Sequence, residues 1–212
     1  MQLLKSDLFG SVWRNGERGR EFVLRDTGKA RWWLAWLGKR LCRREARALA
    51  RLDGLTGTPR LIEENATGLR REWIEGRPMQ VARPRNADYY RAARRLVSAL
   101  HRRGVAHNDL AKETNWLVTP TGQPAIVDFQ LALVSRRRGR LFRSLAREDL
   151  RHLLKHKRGY CPECLTARER QILARPAAIS RLWMATGKPV YTFITRRLLG
   201  WSDREGAGDR RF

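Results

Sequence analysis

The most constraining feature of this chain is the stretch from Asn86 to Gln130, where apolar spacing and turn chemistry dictate a helix, a polar loop and a hairpin in that order. Tyr90, Ala93, Val97 and Leu100 recur on one helical face. Asn86 offers the side-chain acceptor of an N-cap and Gly104 the left-handed stop, so the spacing predicts a helix running through Arg103. Leu117-Val118 and Ala125-Ile126-Val127 are short β-prone runs joined by Thr119 to Pro124, whose Pro and Gly force a turn. His107-Asn108-Asp109-Leu110 then falls on the loop, Asn115 just before the hairpin, and Asp128-Phe129-Gln130 just after it.

The residues before this stretch read as strands around one strong helix. Phe9-Gly10-Ser11-Val12-Trp13 and Glu21-Phe22-Val23-Leu24-Arg25 are separated by Asn15 to Gly19, and Asn-Gly accepts the positive φ of a tight hairpin turn. From Arg40 to Leu52, Leu41, Glu45, Ala48, Leu49 and Leu52 share a face, which places one acid, Glu45, on an apolar stripe. Arg60 to Glu63 and Leu69 to Ile74 form a second strand pair, closed by Glu75-Gly76-Arg77-Pro78. After the hairpin, helices are expected near Glu148 to His156, over Thr166 to Ala174 with a Thr166/Glu169 capping box, and over Val190 to Leu199. No internal repeat is visible. The class is α+β, divided into a small β-rich part (1–76) carrying Glu45 and a mostly helical part (77–212).

The order helix, loop with Asp109, hairpin, Asp128 resembles the catalytic half of the protein-kinase fold, whose loop signature H-x-D-L…N precedes D-F-G. The resemblance implies a compact two-lobed kinase-like fold that uses ATP and Mg²⁺. It assigns Asp109 to orienting or deprotonating the acceptor hydroxyl, Asn115 and Asp128 to the metal, and Lys112 to the transferring phosphate. Asn115 stands six residues after Asp109 where the signature has five, so one residue is inserted between Ala111 and Thr114. Phe9-Gly10-Ser11-Val12 resembles the end of a glycine-rich phosphate loop without its other glycines, which makes Gly10 and Val12 candidates at the nucleotide. Val23-Leu24-Arg25 sits where the family carries Val-Ala-x-Lys, with Glu45 twenty residues on as the expected partner, so either Arg25 or Lys29 replaces the usual lysine. Gln130 stands for Gly and no Ala-Pro-Glu follows. The chain is most similar to compact atypical kinases, the RIO type and the bacterial lipopolysaccharide-core sugar kinases of the Kdo and heptose group.

Charge bears on the partner. With Lys+Arg at 45 and Asp+Glu at 21, the net charge is +24, and only seven of the basic residues are lysine. Such a chain repels itself unless an anion is near, and arginine suits bidentate phosphate binding. Hydrophobic residues at 42% and eight tryptophans exclude a disordered chain. The expected acceptor is an anionic, lipid-linked sugar at the inner face of the bacterial inner membrane, approached from the cytoplasm. Trp32, Trp33 and Trp36 flanked by cations have the composition of an interfacial helix, or else pack as core. Arg136-Arg137-Arg138-Gly139-Arg140 is expected beside the active site as an anion clamp, or as a solvated run. A protein acceptor and a nucleotide-binding pseudokinase are the alternatives; nucleic acid is not expected, since no recognised motif accompanies the charge. The sequence leaves the oligomeric state open. His152, His156, Cys161 and Cys164 have the ligand types of a structural zinc site, or form part of a plain turn around Pro162. Three cysteines, an odd number, fit a reducing compartment.

Overall fold

The computed structural model describes residues 2–7, 10–17, 20–26, 35–65 and 68–174. Its class is α+β, with five α-helices and three antiparallel sheets among the described residues. The chain divides into two compact units, Met1–Leu165 and Thr166–Phe212.

In the first unit, β1 (Gln2–Asp7), β2 (Gly10–Glu17), β3 (Arg20–Asp26), α1 (Ala35–Arg51), β4 (Leu61–Glu64) and β5 (Gly68–Glu72) come first. The five strands form one sheet in the order β1-β2-β3-β5-β4. The β2–β3 hairpin differs from its expected form: Asn15 pairs with Phe22 and Gly16 with Glu21, inside the ladder, and Glu17 with Arg20 closes it. Extending the ladder satisfies more backbone groups than a turn at Asn15-Gly16 would. On β3 and β5 the two-residue alternation sends Val23 and Leu69 into the core, fully buried, and Arg25 and Arg71 follow them on the same face.

The chain continues through β6 (Arg77–Pro78), α2 (Met79–Ala82), α3 (Ala87–Arg102), β7 (Val105–Ala106), β8 (Trp116–Val118), β9 (Pro124–Ile126), β10 (Leu133–Val134) and α4 (Arg140–Tyr160). The Asn86 cap is made: its Oδ1 accepts from the Asp88 amide at 2.7 Å. Gly104 ends α3 at φ +76°, where a Cβ would stand 2.5 Å from the Ser135 carbonyl oxygen, so glycine is required for both conformation and space. One core joins α1, α3 and α4, with Leu49, Leu52, Leu100, Trp116, Phe129 and Leu153 at its centre. Each such side chain contributes roughly 1.5–3 kcal/mol by leaving water. Buried polar tips find partners: Tyr89 donates to the Leu117 carbonyl at 3.2 Å and Trp116 Nε1 to the Leu110 carbonyl at 3.1 Å.

The second unit contains α5 (Ala167–Ala174), begun by the expected capping box. Thr166 Oγ1 accepts from the Glu169 amide at 3.2 Å and Glu169 Oε2 from the Thr166 amide at 2.9 Å. The helix expected over Val190 to Leu199 lies outside the described residues. No helix among the described residues is long and apolar enough to cross a membrane.

Candidate functional site

Glu45 is fully buried and meets two cations from the sheet that α1 covers: Arg25 Nε lies 3.4 Å from Oε2 and Arg71 Nε 3.1 Å from Oε1. These are charge pairs whose angles fall short of aligned hydrogen bonds. Arg25 also reaches forward, its Nη2 standing 3.8 Å from Asp128 Oδ1. The Gln130 amide faces the same guanidinium; with its oxygen turned inward it accepts from Nε and Nη2, each at 3.2 Å. Arg25 therefore ties the sheet, α1 and the segment after β9 together. Lys29, the other candidate for this role, lies outside the described residues.

The loop after β7 is built on turns. Asn108 and Asp128 both adopt left-handed backbone, φ +63° and +66°, a conformation that costs energy in any residue with a Cβ. His107 Nε2 lies 3.0 Å from the Val127 carbonyl and its ring packs edge-on to Phe129 at 4.7 Å, which links the loop to the segment carrying Asp128. Between Asp109 and Asn115 the chain makes a single 3₁₀ turn over Glu113–Asn115, entered through Lys112. Asn115 folds back: its Nδ2 donates to the Asp109 carbonyl at 2.9 Å and to Asp109 Oδ2 at 3.1 Å. Lys112 Nζ approaches the same Oδ2 at 2.8 Å. Both donors converge on one carboxylate oxygen, leaving Asp109 Oδ1 without a hydrogen bond among the described residues.

Asp128 is held as an anion. Burial pushes its carboxyl up, yet Arg25, Arg71, His107 and Lys112 together outweigh burial and bring it below its ordinary value. Its Oδ1 is buried with no hydrogen-bond partner, although the side chain as a whole is 32% exposed. The ionised carboxylate with its unpartnered oxygen, and an asparagine that spends its Nδ2 on Asp109 and so keeps its amide oxygen, are oxygen donors of the kind a hard divalent cation such as Mg²⁺ takes.

Behind the loop stands Asp149, fully buried on α4. Its Oδ2 accepts from the His107 amide at 2.8 Å and lies 3.0 Å from His101 Nε2, and its Oδ1 accepts from the Asn108 amide at 2.9 Å. One carboxylate thus satisfies two consecutive loop amides and sets the direction of Asp109. Two turns further down α4, past the buried Leu153, His156 Nε2 lies 2.8 Å from the Leu110 carbonyl.

Arg71 and Asp149 complete the site and were not singled out in the sequence. Arg71 falls two residues after the buried Leu69, so strand alternation alone places it inward. Asp149 lies on a stripe with Phe142, Leu153 and His156, the same signal that marks Glu45. It is hidden because α4 starts at Arg140 with neither a side-chain cap nor an acid in its first turn, eight residues before the helix is legible.

Other expected features fall elsewhere. Gly10 closes the β1–β2 ladder opposite Asp7 and Val12 pairs with Arg25, while Leu8-Phe9 between them lie outside the described residues. Trp36 on α1 is 63% exposed and is not core; Trp32 and Trp33 lie outside the described residues. The four zinc candidates are not gathered: Cys161 and Cys164 are joined as a disulfide, with only Glu163 completing their cluster, and His156 is committed to Leu110. Burial pushes His152 down to about 4, so it is neutral at pH 7. The 136–140 arginines are not beside Asp109. Strand β10 pairs antiparallel with β7, Val134 opposite Val105, so the chain leaves at the Gly104 end, away from His107.

No protein-family model matches this chain, and no curated protein matches it significantly.

Proposed function

We propose that this chain is an ATP-dependent phosphotransferase of the compact kinase-like type, with a β-rich lobe (1–76) and a helical lobe (77–212), acting on a hydroxyl acceptor. The observation that carries this reading is the Asp109–Asn115–Lys112 knot, coupled through His107 and Val127 to an ionised Asp128. Asp109 has one oxygen fixed by two donors and the other without a hydrogen bond among the described residues, so it is oriented and keeps the capacity to accept from a hydroxyl. In the step proposed, the acceptor oxygen bonds to the γ-phosphorus, the bond to the β–γ bridging oxygen breaks, ADP leaves with the electron pair, and the hydroxyl proton passes to Asp109 Oδ1. Lys112 stands beside the reacting carboxylate, where a cation offsets charge on the transferring phosphoryl group.

Asn115 and Asp128 would hold Mg²⁺, which when bound neutralises phosphate charge. Arg25, anchored by Glu45, would contact the nucleotide phosphates alongside Gly10 and Val12, its planar fork favouring two-point contact. The net charge and the exposed Trp36 favour an anionic acceptor such as a lipopolysaccharide-core sugar presented at the inner membrane face.

The test is transfer from ATP to delipidated lipopolysaccharide-core oligosaccharide with Mg²⁺, on wild type, Asp109→Ala and Asp128→Asn. Asp109→Ala should lose roughly 10²–10⁴-fold in rate while ATP still raises its melting temperature. Asp128→Asn should lose the Mg²⁺-dependent part of that shift. Transfer by Asp109→Ala within about tenfold of wild type would remove Asp109 from the chemistry. ATP binding by wild type without transfer to any sugar or protein would leave the pseudokinase reading.

A further inference from the structure

At the Gly104 end of β7 the fold gathers Arg51, Arg102, Arg103, Arg136 and Arg138 with Ser135 around a cleft of about 320 Å³. We propose that this cleft is a second, non-catalytic anion site that binds a phosphate group, independent of the phosphotransfer reading.

Three chain segments meet there. Arg51 is the last residue of α1, Arg102 and Arg103 end α3, and Ser135 to Arg138 follow β10. Their meeting is enforced by the backbone: the Ser135 amide donates to the Gly104 carbonyl at 2.8 Å, and Gly104 admits no Cβ against the Ser135 carbonyl. Ser135 Oγ then accepts from the Arg138 amide at 3.2 Å, and Arg138 takes left-handed backbone at φ +44°, curling the loop back so that Arg136 and Arg138 both line the cleft. A non-glycine residue held in that conformation has to be stabilised by its surroundings.

The charge in the cleft is uncompensated. Among the described residues none of Arg51, Arg102, Arg136 and Arg138 has a carboxylate partner, and Arg103 donates to the Asp53 carbonyl, a neutral group. Arginines at helix C-termini are ordinary, because the helix dipole favours cations there, and this covers Arg51, Arg102 and Arg103. It does not cover Arg136 and Arg138, which stand on a loop and are brought against three other guanidinium groups. Arg25 and Arg71, by contrast, are matched by Glu45. Five planar forks around one volume, with a serine hydroxyl and no acid, form the donor set for phosphate, which accepts bidentate bonds on several faces. Sulfate-like or carboxylate ligands offer fewer or weaker acceptors. The phosphate can belong to a soluble metabolite or to a lipid headgroup, and the chemistry of recognition is the same.

The experiment titrates pyrophosphate into the full chain in EDTA at low salt, and in parallel measures sedimentation with vesicles of phosphatidylglycerol in phosphatidylcholine. Two charge-matched triples are compared: Arg51→Gln/Arg102→Gln/Arg136→Gln in the cleft, and Arg60→Gln/Arg158→Gln/Arg168→Gln at exposed positions outside it. The cleft triple should weaken binding of one probe at least about tenfold while the control stays within about threefold, since lost bidentate contacts exceed a lost distant charge. Discrimination on pyrophosphate identifies a soluble ligand; discrimination on phosphatidylglycerol alone identifies a headgroup. Should the cleft triple not fold, Arg136→Glu, a single change on the exposed loop, should give the same selective loss. Equal losses in both triples, or wild type binding neither probe, would overturn the proposal.

Discussion

The two ends of β7 handle the same excess of positive charge in opposite ways. At the His107 end Lys112 has Asp109, Arg25 and Arg71 have Glu45, and Arg25 reaches Asp128. At the Gly104 end five arginines face one another across open volume. Matched charge at low dielectric fixes geometry, because each ion would be costly to leave alone. Unmatched charge at a surface costs little in water and is free to meet an external anion. The difference separates a site wired from within from one that is completed by its ligand.

The comparison breaks most visibly at Glu45. Glu45→Ala leaves Arg25 and Arg71 partly buried without their anion, and loss of one partner from a buried pair costs about 3–5 kcal/mol. For a chain of this length that lowers the melting temperature by roughly 6–20 °C. Thermal unfolding by circular dichroism measures it. A shift under about 2 °C would mean that the sheet cations do not depend on Glu45, and the matched end would lose its meaning.

Asp149 sharpens the same contrast at smaller scale. Asp149→Asn keeps one amide oxygen for two loop amides now served by two carboxylate oxygens, so one buried donor goes unsatisfied at a cost of about 1–3 kcal/mol. The expected outcome is a lower melting temperature together with faster hydrogen exchange at His107 or Asn108, measured residue by residue. Unchanged exchange at both amides would show that the turns of the loop hold themselves.

How far the sequence foretold this structure depends on whether the signal was local. Helix α3 with its Asn86 cap and Gly104 stop, the strand pairs, and the α5 capping box all rest on residues within one or two turns of each other, and all were legible. Glu45 was legible as an acid on an apolar stripe. What it would meet was only half legible: Arg25 follows from the resemblance, but Arg71 comes from a strand whose pairing with β3 is a long-range fact. The resemblance puts one extra residue before Asn115; the structure has a 3₁₀ turn there, with the Asn115 side chain on Asp109. The arginine run after Val134 was misplaced. Its chemistry was plain, but its location depends on the antiparallel pairing of β10 with β7, and two-residue strands carry no sequence signal that would reveal it.

The smallest expected effect lies at the unmatched end, and its sign is what matters. If the five arginines repel one another, removing the two that no helix dipole favours, in Arg136→Gln/Arg138→Gln, should stabilise the protein, the reverse of what Glu45→Ala does. Exposed like charges several ångströms apart interact by well under 1 kcal/mol per pair in water, so the summed gain is about 0.5–1 kcal/mol, or roughly 1–4 °C in melting temperature. The gain should be present near 10 mM salt, where the screening length is about 30 Å, and should vanish near 1 M, where it is about 3 Å. Pyrophosphate should raise the melting temperature of wild type and not that of the cleft triple Arg51→Gln/Arg102→Gln/Arg136→Gln, because only the former has the donors to bind it. Differential scanning fluorimetry across a salt series reads both effects in one plate. An Arg136→Gln/Arg138→Gln variant that is less stable than wild type at low salt would mean that these two arginines are already satisfied within the fold, and the contrast between the two ends of β7 would be gone.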